Sequence, residues 1–302
     1  MPLRLDVGLA PHEAMPHLRL AAPDGEVLQL RRYGTIARTM RLTERCMEML
    51  QLLRAARWLS TSQLHRRFFP RATMSAARRR LRRLARAGYL RKQQEDRMRE
   101  ALFTLGREGR RVLEMENNGG KPVALERKPP KQMEHMAGIN DIRIAAELCG
   151  QLAYFFAAWE LPGIGWKYPL VPDAIFRMGN RTFAVEYDRG AEGLRYFIGS
   201  KISCYRRGVP GFPVAAVLVV VDRRSRLETL ARAVADSSGR FLFTTIDAIR
   251  DQGLLAPIYY RDTGGAGPLT GTCSPEVSRR EDSSMASSDI NSKGCERFGA
   301  PS

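Results

Sequence analysis

The longest apolar run of the chain, VAAVLVVV at residues 214–221, restricts the fold more than any other feature. It has the length of a β-strand and falls well short of the roughly 18 residues that a membrane-spanning helix needs. Further strand-like runs lie on both sides of it, with helical patterns between them: strands at 153–161, 168–177, 181–188 and 240–247, and helices at 135–152, after Asp188 and at 225–236. The order helix, three strands, helix, strand, helix, strand predicts a central sheet with helices packed on it, an α/β fold.

Basic charge dominates the composition and is concentrated in one block. The chain has 49 Lys and Arg residues against 32 Asp and Glu residues, a formal net charge of +17. Residues 43–115 alone hold 19 of the basic residues and 7 of the acidic ones. This balance indicates a polyanionic partner, either nucleic acid or an anionic membrane surface. Because nearly all the cations are arginine, which pairs with phosphate in a bidentate manner, nucleic acid is favoured.

Composition also suggests domain boundaries and a compartment. We predict five segments: a leader (1–42), the basic block (43–116), a linker with a Gly pair and a Pro pair (117–132), the α/β segment (133–262) and a Gly/Ser/Pro-rich tail expected to be disordered (263–302). The N-terminus has no secretion-signal pattern, and the five cysteines are scattered without a CxxC pair. Both features are typical of a cytoplasmic protein.

The basic block has the pattern of a winged helix-turn-helix domain. Helices are predicted after the cap candidates Thr43, Ser60 and Thr73, and Ser60 stands at capping-box spacing from Gln63. Gly88 ends the third helix in the position of a left-handed cap, and two β-prone pieces and a closing helix follow. The DNA-binding candidates lie on the third helix and on the first β-prone piece: Arg78, Arg79, Arg82, Arg83, Arg86, Arg91 and Lys92.

The third helix is the one that this fold lays in the major groove of DNA, so its arginines favour duplex binding. The alternative is that they form only a solvated, charged helix face.

Three acidic residues of the α/β segment are candidate metal ligands. Glu186 and Asp188 are two residues apart on a predicted strand and therefore point to the same face of the sheet. Asp173 precedes them across the turn RMGNR, where an antiparallel neighbour could bring it alongside. Three carboxylates on one sheet face repel one another unless a cation lies among them, and Mg²⁺ prefers such oxygen ligands.

A lysine on the next predicted helix faces the same way. Lys201 shares a helical stripe with Leu194, Phe197 and Tyr205 and so points toward the sheet, where a lysine needs an anionic partner. The acid cluster can be that partner, but a purely structural buried salt bridge between Lys201 and Glu186 is the alternative. We predict that Trp159 and Trp166 are core residues rather than base-stacking platforms, and that His135 is a core histidine rather than a ligand.

The dipeptide Pro172-Asp173, followed by a strand with Glu186-Tyr187-Asp188, resembles the PD-(D/E)xK restriction-endonuclease-like nucleases. In that family an Asp and a Glu hold the metal, and a Lys two residues after the Glu orients the attacking water. Here Asp188 stands in the place of that lysine. The resemblance implies that Lys201 is recruited from the helix instead.

A longer set of motifs, from Thr43 to Tyr205, resembles the replication-relaxation family of plasmid and mobile-element proteins, which includes the MOB-C mobilisation relaxases. The motifs are the winged helix and then HMAGINDIRIA, WE, PDAIF, VEYDRG and KISCY. The resemblance implies a nickase or relaxase that uses Mg²⁺ or Mn²⁺ at an origin in double-stranded DNA, with other relaxosome or replication proteins as further partners. The accessory site candidates are His135, Asp141, Arg143 and Tyr205.

Two classes of function stay open at this point. Asp173, Glu186 and Lys201 can form a catalytic site, with Asp188 as a further ligand or as an anchor behind the ligands. A covalent route through Tyr187 or Tyr205 is an alternative to water as the nucleophile. The second class is a winged-helix regulator or relaxosome accessory protein that has lost the reaction, and the replacement of the usual lysine by Asp188 favours it.

Overall fold

The computed structural model describes residues 42–269, apart from residues 95, 97, 117–122, 192, 209, 213, 236–238 and 264. All the described residues fall within one compact unit of the chain. The predicted leader, except residue 42, and the predicted tail from residue 270 onward lie outside the described residues, as does the first part of the predicted linker. The division into two domains joined by a linker therefore stays a prediction.

The N-terminal layer consists of short helices around a small sheet. Its elements are α1 (Glu44–Ala56), β1 (Leu59–Ser60), α2 (Thr61–Phe68), α3 (Met74–Arg86), β2 (Leu90–Gln93), β3 (Leu102–Leu105) and α4 (Arg107–Glu116). The three strands pair antiparallel in the order β1-β3-β2. Apolar side chains from α1 to α4 and from all three strands form one buried core beneath them.

Local signals in the sequence set the ends of α2 and α3. The capping box predicted between Ser60 and Gln63 is present, and Thr73 accepts a hydrogen bond from the N–H of Ala76 at the start of α3. Gly88 follows α3 with φ +77°, which a residue with a Cβ rarely adopts. Thr43 precedes α1, but its side chain does not cap the helix and donates instead to Cys46 Sγ.

The second layer is a mixed sheet with helices on both faces. Its elements are α5 (Met133–Leu148), β4 (Leu152–Ala157), a 3₁₀ turn (Leu161–Ile164), β5 (Ala174–Met178), β6 (Arg181–Asp188), α6 (Leu194–Phe197), a π-helical turn (Ile198–Ile202), α7 (Ser203–Arg207), β7 (Ala216–Val221), α8 (Arg224–Val234), β8 (Phe241–Thr245), α9 (Ile246–Gln252), β9 (Tyr259–Arg261) and β10 (Ala266–Gly267). The seven strands run in the order β10-β9-β8-β7-β6-β5-β4. Only β6, β7 and β8 are parallel neighbours among them.

The prediction of a sheet with helices packed on it is confirmed, and β6 covers the predicted strand at 181–188. The structure differs at the ends of this layer. Residues 168–173 are not strand, and α9, β9 and β10 were not predicted. The predicted tail also begins too early, because β10 pairs with β9 and the side chain of Leu269 is buried in the core. These short elements carry little pattern of their own and depend on tertiary contacts. No helix among the described residues has the length and apolar character of a membrane span.

The strand β6 presents alternate residues to two different sets of helices. Val185 and Tyr187 lie in the core with α5 and α9, whereas Ala184 lies in the core with the helices from α6 to α8. The side chain of Glu186 therefore lies on the α6–α8 side.

The helix α5 is buried on both sides because it lies between the two layers. Ile139 and Ile142 pack on the sheet, whereas Ile144 belongs to the N-terminal core. The side-chain amide of Asn140 donates to the carbonyl oxygens of Ala56 at 3.0 Å and Trp58 at 2.9 Å. The face of α5 opposite the sheet is thus bonded directly to the N-terminal layer.

Close packing between α5 and β6 depends on a glycine. A Cβ on Gly138 would lie 2.0 Å from Cε1 of Tyr187, a distance that real Cβ atoms do not show. Glycine at this position lets the helix approach the ring, so that α5 can deliver its N-terminal side chains to the edge of the sheet.

We expect Gly138→Ala to lower the free energy of unfolding by about 2 kcal/mol or more, because overpacking outweighs the gain of about 1 kcal/mol in helix propensity. Urea unfolding followed by circular dichroism measures the change. Gly163→Ala is the matched control, since a Cβ there meets nothing within 4 Å. Equal stability of the two variants would contradict the close approach of α5 to β6.

Candidate functional site

Two adjacent antiparallel strands bring Asp173 next to Glu186. Ala174 of β5 is opposite Val185 of β6, and the backbone N–H of Asp173 donates to the carbonyl of Val185 at 3.0 Å. The carboxylate of Asp173 also accepts the backbone N–H of Tyr187 at 2.8 Å. The antiparallel pairing across the turn therefore places these two acids side by side on neighbouring strands.

Lys201 lies between the two carboxylates. Its Nζ is 2.5 Å from Oε2 of Glu186 and 3.5 Å from Oδ1 of Asp173. Lys201 belongs to the π-helical turn, and such turns change the direction of side chains and are frequent at functional sites. The side chain of Glu186 is 0% exposed and that of Lys201 is 28% exposed, so the lysine reaches from the surface to a buried acid.

Tyr205 and His135 complete the cluster. Tyr205 donates its hydroxyl to Oε1 of Glu186 at 2.6 Å, so both oxygens of this carboxylate accept hydrogen bonds. His135, in the first turn of α5, places Nε2 3.3 Å from Oδ2 of Asp173, and its ring stacks on Tyr187 with centroids 5.4 Å apart. His135 is only partly buried, in contrast to the core histidine that we predicted, and it contacts Asp173 of the predicted site.

The charges of the cluster shift the ionisation of its members in opposite directions. Burial, together with the negative charge of Asp173, raises the pKa of Glu186 to about 7, even though Lys201 and Tyr205 act in the other direction. Burial also acts on Asp173, but the hydrogen bond from His135 and the charge of Lys201 outweigh it and lower the pKa of that carboxyl. The pKa of His135 is raised, because its bond to Asp173 outweighs burial.

Asp188, the third predicted ligand, makes a different set of contacts. Its carboxylate accepts the backbone N–H of Gly190 at 2.8 Å and the guanidinium of Arg226 on α8 at 2.7 Å. No pattern in the sequence singles out Arg226, because it follows other arginines at the start of α8 and pairs with an acid far away along the chain. Among the described residues, no three His, Cys, Asp or Glu side chains are grouped so that they could hold a metal ion.

Asp173 and Glu186 nevertheless fit a hard divalent cation as a partial ligand set. Mg²⁺ is commonly bound by one or two carboxylates, with water and substrate phosphate oxygens completing the shell. Besides burial, the charge of Asp173 raises the cost of ionising Glu186, and a divalent cation bound to both carboxylates would lower that cost.

Asp141 and Arg143, two accessory candidates, form ion pairs that hold α5 in place. Asp141 accepts from Arg66 of α2 at 2.5 Å and from Arg250 of α9 at 2.6 Å. Arg143 is paired with Glu160 and lies over the ring of Phe155. These partners lie on α2, on α9 and just after β4, so Asp141 and Arg143 connect α5 to other elements and do not add groups to the Asp173–Glu186 cluster.

The predicted DNA-binding residues divide into an exposed set and one packed residue. The exposed residues are Arg78, Arg79, Arg82, Arg83 and Arg86 of α3 and Lys92 of β2. A groove of about 610 Å³ lies between α3 and the β2–β3 pair and is lined by Arg78, Arg82 and Lys92, among others. In contrast, the guanidinium of Arg91 lies 5.3 Å from the ring centroid of Trp58 and donates to the carbonyl of Glu126.

A family model described as replication-relaxation matches residues 50–210 of the chain. The match covers more than half of the sequence, so the chain belongs to the replication-relaxation family. It includes α3, α5 and all five cluster residues, from His135 to Tyr205, and confirms the resemblance noted in the sequence. Membership of this family suggests a role in the replication or mobilisation of plasmid or mobile-element DNA. Comparison with curated proteins and with solved structures gives no match.

The raised pKa of Glu186 predicts a pH-dependent loss of stability in the absence of divalent metal. A carboxyl whose pKa is higher in the folded state stabilises the fold below its unfolded value of 4.5, and that contribution is lost as the pH rises through about 7. Relative to Glu186→Gln, the wild-type protein should therefore lose about 3 kcal/mol of unfolding free energy between pH 4.5 and pH 8. Urea unfolding in EDTA across this range measures the difference.

The control is Glu228→Gln, because Glu228 is an exposed acid on α8. The difference between this variant and the wild type should stay constant over the same pH range. A constant difference for Glu186→Gln as well would show that Glu186 titrates normally and would contradict the electrostatics of the cluster.

Proposed function

We propose that this protein is a metal-dependent DNA nickase or relaxase that acts on plasmid or mobile-element DNA. The observation that carries the proposal is the contact of Lys201 Nζ with both Asp173 and Glu186 on adjacent strands. Two carboxylates and one partly exposed lysine are groups that metal-assisted hydrolysis of a phosphodiester can use. The separate arginine-rich surface and the family membership support DNA as the substrate.

The N-terminal layer is proposed to act as a winged helix-turn-helix domain that binds duplex DNA. The order of its elements from α1 to β3 and its small antiparallel sheet support this assignment. Five exposed arginines on one helix repel one another, and a polyanion relieves that repulsion. The groove beside α3 offers Arg78, Arg82 and Lys92 to the phosphates of the bound duplex.

At the candidate site, Asp173 and Glu186 would hold Mg²⁺ or Mn²⁺. An ion bound there would supply Lewis-acid chemistry, namely polarisation of the scissile phosphate and a lower pKa of a water. The ammonium group of Lys201 lies between the two carboxylates. From there Lys201 orients the attacking water and stabilises negative charge on the phosphorane. The attacking water would form the new bond from its oxygen to phosphorus as the bond to the deoxyribose oxygen breaks, and a proton of the water would pass to that leaving oxygen. Asp188 acts as an anchor, holding the end of β6 to α8 through Arg226.

Water is the proposed nucleophile rather than a tyrosine. Tyr205 donates its hydroxyl to Glu186, and Tyr187 donates to Asp222. Burial and these acidic partners raise the pKa of both phenols above the ordinary value, so both are protonated at neutral pH.

The second candidate function is a DNA-binding regulator or relaxosome accessory protein without catalytic activity. Two observations favour it. Lys201 and Glu186 form a close ion pair that can be purely structural, and Asp188 is paired with Arg226 instead of joining the two other acids. In that case duplex binding by α3 remains and the cluster only stabilises the sheet.

Replacing Arg78, Arg79, Arg82 and Arg83 together by Ala should weaken duplex binding and flatten its dependence on salt. The slope of log K against log salt concentration is negative, and each phosphate contact that is lost reduces its magnitude by about 0.9. Fluorescence anisotropy with a labelled duplex at several salt concentrations gives both quantities.

The matched control replaces four exposed arginines of other elements, namely Arg111, Arg177, Arg223 and Arg232. This control removes the same charge as the α3 variant, but it should change the salt dependence of duplex binding far less. If the two variants bind alike at every salt concentration, α3 is not the DNA-binding element.

The purified protein should convert supercoiled plasmid that carries its own origin into open circles, with Mg²⁺ or Mn²⁺ but not with EDTA. Asp173→Ala, Glu186→Ala and Lys201→Ala should each abolish nicking and leave duplex binding intact. Gel electrophoresis of the plasmid and anisotropy of a labelled duplex measure the two properties.

Glu228→Ala serves as the control for loss of an acidic side chain and should nick like the wild type. Mg²⁺ should also raise the melting temperature of the wild type at pH 8 more than that of Asp173→Ala, which reports metal binding without any reaction. Nicking that persists in Glu186→Ala would rule out this active site. Absence of nicking on every substrate, with duplex binding intact, would favour the accessory protein.

A further inference from the structure

A cluster of aromatic side chains adjoins the candidate site. Tyr205, whose hydroxyl bonds to Glu186, lies edge-on to Phe212 with ring centroids 6.1 Å apart. Phe212 in turn contacts Trp166 at 5.5 Å and Tyr168 at 5.2 Å, both edge-to-face. The cluster thus extends from the buried carboxylate of Glu186 outward to the loop between β4 and β5.

The outer three rings of the cluster are held in place although they are not buried. Trp166, Tyr168 and Phe212 are each only partly buried, whereas Tyr205 is 5% exposed. Trp166 donates its indole N–H to the carbonyl of Leu170 at 3.1 Å, and Tyr168 donates its hydroxyl to the carbonyl of Gly211 at 2.5 Å. These bonds fix the rings at the surface. The prediction that Trp166 is a core residue therefore does not describe its position.

The two chain segments that carry these rings bear charge of one sign. The segments 161–171 and 203–215, which carry the aromatic residues, contain Lys167, Arg206 and Arg207 and no Asp or Glu. All three cations are exposed. Apolar ring surface on two segments whose charged residues are all basic is complementary to nucleic acid, which combines flat aromatic bases with a phosphate backbone.

We infer that Trp166, Tyr168 and Phe212 form a stacking platform for an unpaired base of the DNA strand whose phosphate lies at the candidate site. The inference rests on the proposed function, because that function places the strand beside Glu186. A base in a duplex has its faces covered by its neighbours, so a partly exposed ring can stack only on a base that has left the helix. The platform therefore selects a strand that is locally unpaired and holds it next to Lys201.

The test measures binding of the full-length protein to an oligothymidylate of about 12 nucleotides in EDTA, with tryptophan fluorescence as the signal. Stacking should quench the fluorescence of Trp166. Trp166→Leu should raise the Kd for the oligonucleotide about 5- to 150-fold, the range for loss of one stacked base. Binding of a duplex should be unchanged in this variant, since α3 is proposed to carry it.

Two further variants separate stacking from general damage. Trp166→Phe keeps an aromatic face, so it should bind the oligonucleotide within about threefold of the wild type but lose the quenching. Trp159→Leu is the matched control, because Trp159 bonds to the carbonyl of Ala55 in α1 and should keep both affinity and quenching. Should Trp166→Leu fail to fold, Trp166→Phe still tests whether Trp166 stacks on a base: loss of quenching supports stacking, and persistence contradicts it.

An unchanged oligonucleotide affinity in Trp166→Leu, or quenching that persists in Trp166→Phe, would overturn the platform. An equal loss of duplex and oligonucleotide binding in Trp166→Leu would overturn it as well. Because the measurement is made without metal, its failure is distinct from failure of the nickase: a protein that stacks the oligonucleotide but never nicks plasmid would contradict only the proposed reaction.

Discussion

The burial of the Glu186 carboxylate is the constraint on which the site depends. Glu186 lies in β6, between antiparallel β5 and parallel β7, and its side chain has no exposure to solvent. A buried acid without partners costs several kcal/mol, and its pKa then rises. The helix that follows β6 provides those partners, because Lys201 and Tyr205, four residues apart, reach the two carboxylate oxygens separately. The need to satisfy one buried acid thus fixes the position of this helix on the sheet and, with it, the position of the lysine.

The helix α5 makes contacts both with the cluster around Glu186 and with the N-terminal layer that carries the arginine-rich surface. At its start, His135 contacts Asp173, and Gly138 allows the helix to lie against Tyr187. Further along, Asn140 and Asp141 bond to α1, α2 and the residues between them. Since α3 packs in the same core as α1 and α2, the exposed arginines and the carboxylates are held by one continuous set of contacts. Under the proposed function, DNA held on α3 is presented to a site at a fixed distance.

The sequence predicted those parts of the structure that depend on short-range pattern. The capping box at Ser60 and Gln63, the strand that carries Glu186 and the direction of Lys201 all follow from local spacing. The role of α5 could not be predicted, because its buried polar residues Asn140 and Asp141 are intelligible only with their distant partners in place. The pairing of Asp188 with Arg226 and the exposure of Trp166 likewise depend on contacts between segments far apart in the chain.

Under the proposed function, a divalent cation binds the carboxylates of buried Glu186 and partly buried Asp173 and offsets their negative charge. Carbon-13 NMR of the glutamate side-chain carboxyls, with the Glu186 signal assigned by its loss in Glu186→Gln, measures the ionisation of this residue directly. In EDTA the signal should titrate with a pKa of about 7, and saturating Mg²⁺ should lower that pKa. A pKa near the ordinary value of 4.5 in EDTA, or one that Mg²⁺ leaves unchanged, would contradict the claim.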